Sequence, residues 1–93
     1  MKCEGAMYRC VCCGCKTISE PTPGTYEVCP VCGWEDDPVQ AEDPDYAGGA
    51  NEVSLNEARK NYRSFGAISR EMIRYVRPPG PDEECETPKD SRE

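Results

Sequence analysis

Two short stretches of this chain carry cysteines at a spacing that suits metal binding. The first reads Cys10-Val-Cys-Cys13-Gly14 and the second reads Cys29-Pro-Val-Cys32-Gly33, and fifteen residues separate Cys13 from Cys29. Two residues between cysteines let one tight turn aim both sulfurs at the same point, and four thiolates at tetrahedral corners hold a divalent cation. The sequence therefore predicts a single metal site with four cysteine ligands.

The repeat between the two stretches identifies the ligands. Aligning them matches cysteine with cysteine and places Gly14 opposite Gly33. Glycine suits the left-handed backbone position that follows the second cysteine, where a side chain would be costly. The predicted metal ligands are Cys10, Cys13, Cys29 and Cys32. We call residues 10–15 the first knuckle and residues 29–34 the second knuckle.

The chain has eight cysteines, so four lie outside this set. An alternative register uses Cys12 with Cys15, but Lys16 follows it rather than glycine. Cys12 aligns with a small apolar residue and is interpreted as a buried small hydrophobe, with a spare oxidisable thiol as the alternative. Cys85 has no partner at knuckle spacing, and Cys3 is predicted to be a free thiol.

The chemistry of the predicted ligands favours a structural zinc ion. The chain has no histidine, which excludes histidine-containing zinc and iron sites. Four thiolates form a closed shell with no open position for water or substrate. One Zn²⁺ ion is the predicted cofactor. Iron, bound as in rubredoxin-like knuckles, is the alternative, because a tetrahedral four-sulfur site suits both metals.

A disulfide framework is the competing interpretation of so many cysteines. The start of the chain has no apolar run, so no signal peptide is expected, and no transmembrane segment is apparent. We therefore expect the protein to be located in the cytoplasm and not to associate with a membrane. Its cysteines should stay reduced, since disulfides are rare in that compartment.

Length and charge limit the remaining possibilities. Ninety-three residues make at most one domain, and a chain this short needs a metal to supplement its core. The formal net charge is −7. Seven acids and no base lie in residues 35–52, whereas residues 58–77 hold six bases and one acid. The overall charge repels nucleic acid, but the basic segment keeps a nucleic-acid face as a minor possibility.

The elements that position the knuckles follow from local signals. Residues 8–10 and 16–18 are predicted strands flanking the first knuckle, and residues 25–28 a strand entering the second. Ser54-Leu-Asn-Glu57 is typical of a capping box that opens a helix, with Gly66 as its C-terminal cap. A second helix is predicted to begin at Ser69, with three arginines on one exposed side: Arg70, Arg74 and Arg77.

The predicted fold class is a small metal-stabilised α+β domain. Zinc-ribbon or rubredoxin-knuckle β-hairpins should be followed by an acidic loop (residues 35–51) and two C-terminal helices. Residues 1–6 are predicted to be a flexible leader, residues 7–78 the single domain, and residues 79–93 a disordered acidic tail. Trp34 is expected to pack over the thiolates and exclude water, with an exposed anchor for a partner as the alternative.

The chain resembles the small bacterial cysteine-rich CPCC family over roughly residues 7–78. The matching segments are Tyr8-x-Cys10-x-Cys12-Cys13-Gly14, Cys29-Pro-Val-Cys32, Trp34-Glu-Asp-Asp-Pro38, Asp43-Pro-Asp-Tyr46 and Ser54-Leu-Asn-Glu57. Val11 stands where the family has its namesake proline, which loosens the first turn without removing a ligand. The resemblance implies a metal-binding domain and names no substrate and no catalytic residue.

Three functions are consistent with these observations. The leading hypothesis is a non-enzymatic zinc module that binds a protein partner through an acidic and aromatic surface. The residues of that predicted surface are Trp34, Asp36, Asp37, Asp43, Asp45 and Tyr46. The alternatives are a nucleic-acid-binding zinc ribbon that uses the basic helical face, and a thiol redox sensor or metal-handling protein.

Overall fold

Two short strands flank the first knuckle in the computed structural model, which describes residues 7–86. Strand β1 (Tyr8–Arg9) pairs antiparallel with β2 (Lys16–Ile18), with an irregularity between Tyr8 and Arg9. Three helices follow: α1 (Pro38–Glu42), α2 (Leu55–Phe65) and a 3₁₀ helix (Arg70–Tyr75). The described chain is thus a small α+β fold. The predicted leader with Cys3, and residues 87–93 of the predicted tail, lie outside the described residues.

The second knuckle is also closed by chain pairing, but less regularly. Tyr26 donates its N–H to the Asp36 carbonyl at 3.0 Å, and Val28 forms an isolated antiparallel bridge with Glu35. The strand predicted for residues 25–28 is reduced to this bridge. The reason is local: Tyr26 has a φ of 61°, which an extended strand cannot accommodate.

Helix α1 lies inside the segment that was predicted to be an acidic loop. Asp37 caps it, because its Oδ1 accepts the Val39 N–H at 2.8 Å, and Pro38 occupies the first helical turn. The other carboxylate oxygen of Asp37 accepts the Ala50 N–H at 2.9 Å. One acidic side chain therefore starts the helix and ties the far end of the loop to it.

Two buried amides hold the rest of this loop. Gln40 is fully buried, and its Nε2 donates to the carbonyls of Tyr46, Asn51 and Val53 at 3.0–3.2 Å. Asn51 exchanges hydrogen bonds with both backbone groups of Glu35 at 2.8 Å, and donates to Gln40 Oε1 at 2.9 Å. Residues 35–53 are consequently fixed against the second knuckle by internal hydrogen bonds.

Helix α2 matches its prediction closely. Ser54 is the N-cap, and its hydroxyl accepts the Glu57 N–H at 3.1 Å. Gly66 ends the helix with a left-handed φ of 85°, and its N–H donates to the Tyr62 carbonyl. Leu55 and Ala58 are buried against the cysteines, so the helix packs on the core through this apolar face.

The second C-terminal helix differs from the prediction. Residues 70–75 form a 3₁₀ helix rather than an α-helix, and the side chain of Ser69 makes no capping hydrogen bond. A 3₁₀ helix has about three residues per turn, so Arg70 and Arg74 point in different directions. Arg77 lies beyond its end. The predicted single stripe of three arginines is therefore not formed.

The core of the described chain is built around the sulfurs. Buried cysteines from both knuckles pack with Trp34 and with aliphatic side chains of β2, α2 and the segment before the 3₁₀ helix. The aliphatic members are Ile18, Val31, Leu55, Ala58 and Ile68. The Ile68 N–H donates to the Cys32 carbonyl at 2.9 Å. The cluster of four predicted ligands thus lies within the core.

The end of the described chain returns to the first knuckle. Cys15 and Cys85 form a disulfide, which corrects the expectation that the cysteines stay reduced. The two residues are 70 positions apart, and sequence spacing alone gave no reason to pair them. Residues 80–86, part of the predicted disordered tail, are hydrogen-bonded to residues 14–16. Among residues 7–86, no helix has the length and apolar character needed to cross a bilayer.

Candidate metal centre

The structure brings the four predicted ligands together. The sulfurs of Cys10 and Cys32 are 3.6 Å apart, and those of Cys13 and Cys29 are 3.7 Å apart. All four Sγ atoms lie within 4.8 Å of one another, and all four residues are buried. A tetrahedral site with metal–sulfur bonds of about 2.3 Å requires sulfurs about 3.8 Å apart. Two of the sulfur–sulfur distances are close to this value, so the four cysteines are placed to hold one tetrahedral ion.

Both knuckles use the same backbone turn, as their alignment predicts. In the first, the Gly14 N–H donates to the Cys10 carbonyl at 2.8 Å; in the second, Gly33 donates to Cys29 at the same distance. The two glycines have φ values of 80° and 91°, in the left-handed region. The repeated glycine is therefore a requirement of the turn that aims each pair of sulfurs.

Backbone N–H groups point at the sulfurs from inside these turns. The N–H groups of Cys12, Val31 and Trp34 lie 3.4 Å from the Sγ atoms of Cys10, Cys29 and Cys32, respectively. Hydrogen bonds of this kind disperse the negative charge of a thiolate and stabilise it without a nearby cation. The cluster is therefore prepared for thiolate ligands rather than for neutral thiols.

One further contact to the cluster could not be read from the sequence. The hydroxyl of Thr17, a buried residue in β2, lies 3.0 Å from Cys29 Sγ. Cys29 thus has two polar neighbours, the Val31 N–H and the Thr17 hydroxyl. The only signal in the sequence is that Thr17 follows the first knuckle by two residues, which does not indicate a contact with the second.

The thiols of the cluster perturb one another strongly. Hydrogen bonds from Cys10, Cys13 and Cys32 lower the pKa of Cys29. Hydrogen bonds with Cys13 and Cys29 raise the pKa of Cys10, and one with Cys10 raises that of Cys32. The Cys10 contact lowers the pKa of Cys13, but contacts with the other thiols and burial outweigh it. Four thiols this close together oppose one another's ionisation, and a divalent ion would allow all four to ionise.

The shell around the sulfurs is apolar. Trp34 is fully buried, as its expected packing role requires, and its indole Nε1 has no hydrogen-bond partner. Cys12 is also buried, as its interpretation as a small hydrophobe predicted. Tyr62 is half-buried on α2, and desolvation together with negative charge at Cys13 raises its pKa to about 12. These side chains keep water from the cluster.

The six residues of the predicted interaction surface divide into two groups. Trp34, Asp36 and Asp37 are buried. Asp36 Oδ2 accepts hydrogen bonds from the N–H and the hydroxyl of Thr25, both at 3.0 Å, and its buried Oδ1 has no partner. These three side chains therefore belong to the interior rather than to a surface. The three exposed members are Asp43, Asp45 and Tyr46.

The bases of residues 58–77 contact the protein itself in several places. Arg59 donates from Nε to the Val11 carbonyl at 3.0 Å. The guanidinium of Arg70 lies 4.6 Å from the centre of the Phe65 ring, and Arg77 forms a two-pronged ion pair with Glu83 at 2.8 Å. These three bases therefore contact the protein itself, and nothing in the described residues supports the nucleic-acid alternative.

Comparison with known proteins gives one positive finding. A family model described as "Cysteine-rich CPCC" matches residues 8–83, which include both knuckles and all three helices. A search of curated proteins finds no significant match to the chain. Cys85 lies just beyond the matched residues, so the disulfide to Cys15 joins a matched position to an unmatched one.

Proposed function

The chain belongs to the cysteine-rich CPCC family, and on that premise we propose that it is a non-enzymatic module built around one structural zinc ion. The observation that carries the proposal is the buried set of four sulfurs within 4.8 Å of one another. Four protein thiolates complete a tetrahedral shell, which leaves no position for a substrate or a reactive water. Such a site would hold the fold together rather than perform a reaction. We propose the cytoplasm as its compartment, where the Cys15–Cys85 disulfide would be open to reduction by small thiols.

Zinc is preferred to iron because of the properties of the zinc ion itself. Zinc has no redox chemistry and accepts a tetrahedral four-sulfur shell without geometric preference of its own. Iron in the same shell is the alternative, since tetrahedral sulfur sites suit both metals. Metal analysis of protein purified without added metal separates them: we expect about one zinc per chain and no stoichiometric iron.

A matched pair of variants tests the ligand set. Cys29→Ser should lose the bound zinc and the cooperative unfolding transition, because binding free energy at a structural zinc site is largely folding free energy. Cys12→Ser is the control, since Cys12 is equally buried but lies outside the four-sulfur set. A Cys29→Ser protein as zinc-loaded and as cooperatively folded as the parent would contradict the proposal.

We further propose that the module binds a protein partner through the exposed part of the acidic loop. Asp43, Asp45 and Tyr46 lie together between α1 and α2, and all three are exposed. Asn56 Nδ2 donates to Asp45 Oδ1 at 2.8 Å, and the Tyr46 N–H donates to the Asp43 carbonyl at 2.9 Å. Two carboxylates beside an aromatic ring on a fixed loop suit a basic partner surface.

Capture of partners from a lysate tests this surface. The zinc-loaded wild type and a triple variant, Asp43→Ser, Asp45→Ser and Tyr46→Ser, serve as baits. A variant with Glu20→Ser is the control, because Glu20 is an exposed acid outside the loop. A specific partner should be retained by the wild type and the control but lost by the triple variant. Equal capture by all three baits would refute this surface.

A further inference from the structure

The outer edge of the hairpin carries a third chain segment, which comes from the end of the described chain. The Lys16 N–H donates to the Glu84 carbonyl at 3.1 Å, and the Glu86 N–H donates to the Gly14 carbonyl at 3.0 Å. Cys15 and Cys85 form the antiparallel bridge between them. On the other side, the Cys15 carbonyl accepts the Cys10 N–H. Residues 80–86, which we call the strap, therefore occupy an edge that β2 would otherwise expose.

The edge is basic and the strap is acidic. Arg9 Nη1 donates to the carbonyls of Gly14 and Glu84 at 2.9 and 3.1 Å, and its Nη2 lies 3.6–3.7 Å from the carboxylates of Glu84 and Glu86. Lys16 Nζ lies 3.4 Å from Glu84. The carboxylates are more than 70% exposed, so these ion pairs hold the strap only weakly. The ion pairs favour an acidic segment at this edge, while the backbone hydrogen bonds require it to run antiparallel to residues 14–16.

The disulfide keeps the strap in place. Cys15 is fully buried, whereas Cys85 is exposed. A thiolate from solution can therefore attack Cys85 Sγ, and the Cys15 sulfur leaves. A second thiol then releases Cys85. Overall, two small thiols become one small disulfide, and Cys15 and Cys85 each gain one proton and one electron.

We propose that the strap is a removable cover over a docking site for an acidic, extended segment of a protein partner. Once the disulfide is reduced by a low-molecular-weight thiol, the partner segment pairs antiparallel with residues 14–16. It uses the Gly14 carbonyl and the Lys16 N–H that the strap uses, and Arg9 and Lys16 select its carboxylates. This inference rests on the proposed zinc-bound fold, but it concerns a surface separate from the acidic loop.

The strap itself supplies the probe. A fluorescein-labelled peptide that copies residues 80–86 with serine at the cysteine position is titrated into zinc-loaded full-length chain. Oxidised wild type is compared with a Cys85→Ser, Glu84→Lys double variant, which has no lock and whose own strap is repelled by Arg9 and Lys16. We expect the probe to bind the double variant at least tenfold more tightly than the oxidised wild type.

Two variants in the unlocked background test the named contacts. Adding Lys16→Glu should weaken probe binding at least fivefold, because it reverses the charge beside the edge. Adding Arg74→Glu should leave binding unchanged, because Arg74 is an exposed base of the 3₁₀ helix and not one of the contacts of the strap named above. A probe with lysine in place of its glutamates should fail to bind. Equal affinity for the locked and unlocked proteins, or no effect of Lys16→Glu, would overturn the inference.

Two measurements on the protein without the probe complete the test. Mass spectrometry after alkylation under non-reducing conditions should show monomers in which Cys15 and Cys85 are protected. Alkylation of both, or a disulfide-linked dimer, would overturn the intramolecular lock. Hydrogen exchange at the Lys16 amide should accelerate in the double variant. Unchanged exchange would show that the strap stays paired without the disulfide, which would contradict the proposal. Zinc content is recorded throughout, so a failure of the metal proposal is separately visible.

Discussion

The hydroxyl of Thr17 lies 3.0 Å from the Sγ of Cys29, so a residue of β2 contacts a ligand of the second knuckle. The strand that leaves one pair of cysteines thereby supports the other pair. When Cys29 is a thiolate, the hydroxyl is the donor, and the contact lowers the pKa of Cys29 in addition to the larger effects of the neighbouring thiols. This side chain couples the two halves of the site, which a shared ion would also join.

Replacing Thr17 with valine should weaken metal binding while keeping the shape of the side chain. Loss of a single partner in the shell around the ligands typically lowers metal affinity by about 10–100-fold. Competition with a chromophoric chelator measures the change. Thr22→Val is the control, because the Thr22 hydroxyl donates to the Arg9 carbonyl and contacts no sulfur. Equal affinities for the two variants would show that the Thr17 contact contributes nothing to metal binding.

The contact between Gly33 and the 3₁₀ helix should be sensitive to one methyl group. A Cβ at Gly33 would lie 2.9 Å from Met72 Cε and 3.3 Å from Val76 Cγ1. Gly48 has the same φ of 91°, but a Cβ there would contact nothing within 4 Å. Both alanine variants carry backbone strain of about 1–2 kcal/mol. Met72 Cε ends a flexible side chain and can move aside, whereas the branched Val76 side chain is stiffer. We therefore expect Gly33→Ala to be destabilised by about 1 kcal/mol more, measured by chemical denaturation of zinc-loaded protein.

Zinc affinity should fall steeply as the pH is lowered. Thiols of an unfolded chain have a pKa of about 8.5, so they are mostly protonated at neutral pH, whereas the zinc-bound ligands are thiolates. Stability supplied by zinc is therefore complete above that pKa and is lost toward acid. Between pH 7 and pH 6, release of four protons would raise the apparent Kd by about 10⁴.

The slope of this pH dependence also reports the metal-free state. If metal-free chains retained the cluster, the lowered pKa of Cys29 would leave that ligand already ionised. Binding would then release three protons, and the change per pH unit would be about 10³. We expect the steeper value, because a chain this small needs its metal to fold. Chelator competition at several pH values measures the slope, and a slope of one proton or fewer would contradict four-thiolate binding.

The buried amide pair should be essential to the loop after the second knuckle. Asn51→Ala leaves both backbone groups of Glu35 without these partners, whereas Gln40 Oε1 keeps the hydrogen bond from the Asn51 N–H. Leaving buried polar groups unpaired should cost about 2–4 kcal/mol in the free energy of unfolding. Asn56→Ala is the control, since its side chain makes an exposed hydrogen bond with Asp45. Thermal unfolding of the two zinc-loaded variants measures their loss of stability. Similar losses for both would contradict a special role for the buried amide pair.

Local signals in the sequence were sufficient for the features that depend on neighbouring residues. The ligand set and its turns follow from two matched Cys-x-x-Cys-Gly units, and α2 follows from Ser54 at one end and Gly66 at the other. Each of these signals acts within about one helical turn of the residue that carries it. The family resemblance rested on the same residues, and a match over residues 8–83 confirmed it.

Features that depend on distant residues were missed. Asp36 and Asp37 appeared to be surface charges, but both satisfy backbone N–H groups from other segments. The pairing of Cys15 with Cys85 needs the chain end to return to β2, which spacing cannot show. The 3₁₀ form of residues 70–75 accompanies their packing on Gly33, where Met72 comes close. In each case tertiary contacts overrode a reasonable local expectation.

Cys15 and Trp34 occupy equivalent positions, each directly after the glycine of its knuckle. At the second knuckle this position is closed by an indole that makes only van der Waals contacts, whereas at the first it is closed by a covalent bond to the strap. The two sides of the site consequently respond to different agents. Small thiols can reduce the disulfide at the first knuckle but cannot release the packed indole at the second. Any opening of this domain by thiols would therefore begin at the first knuckle.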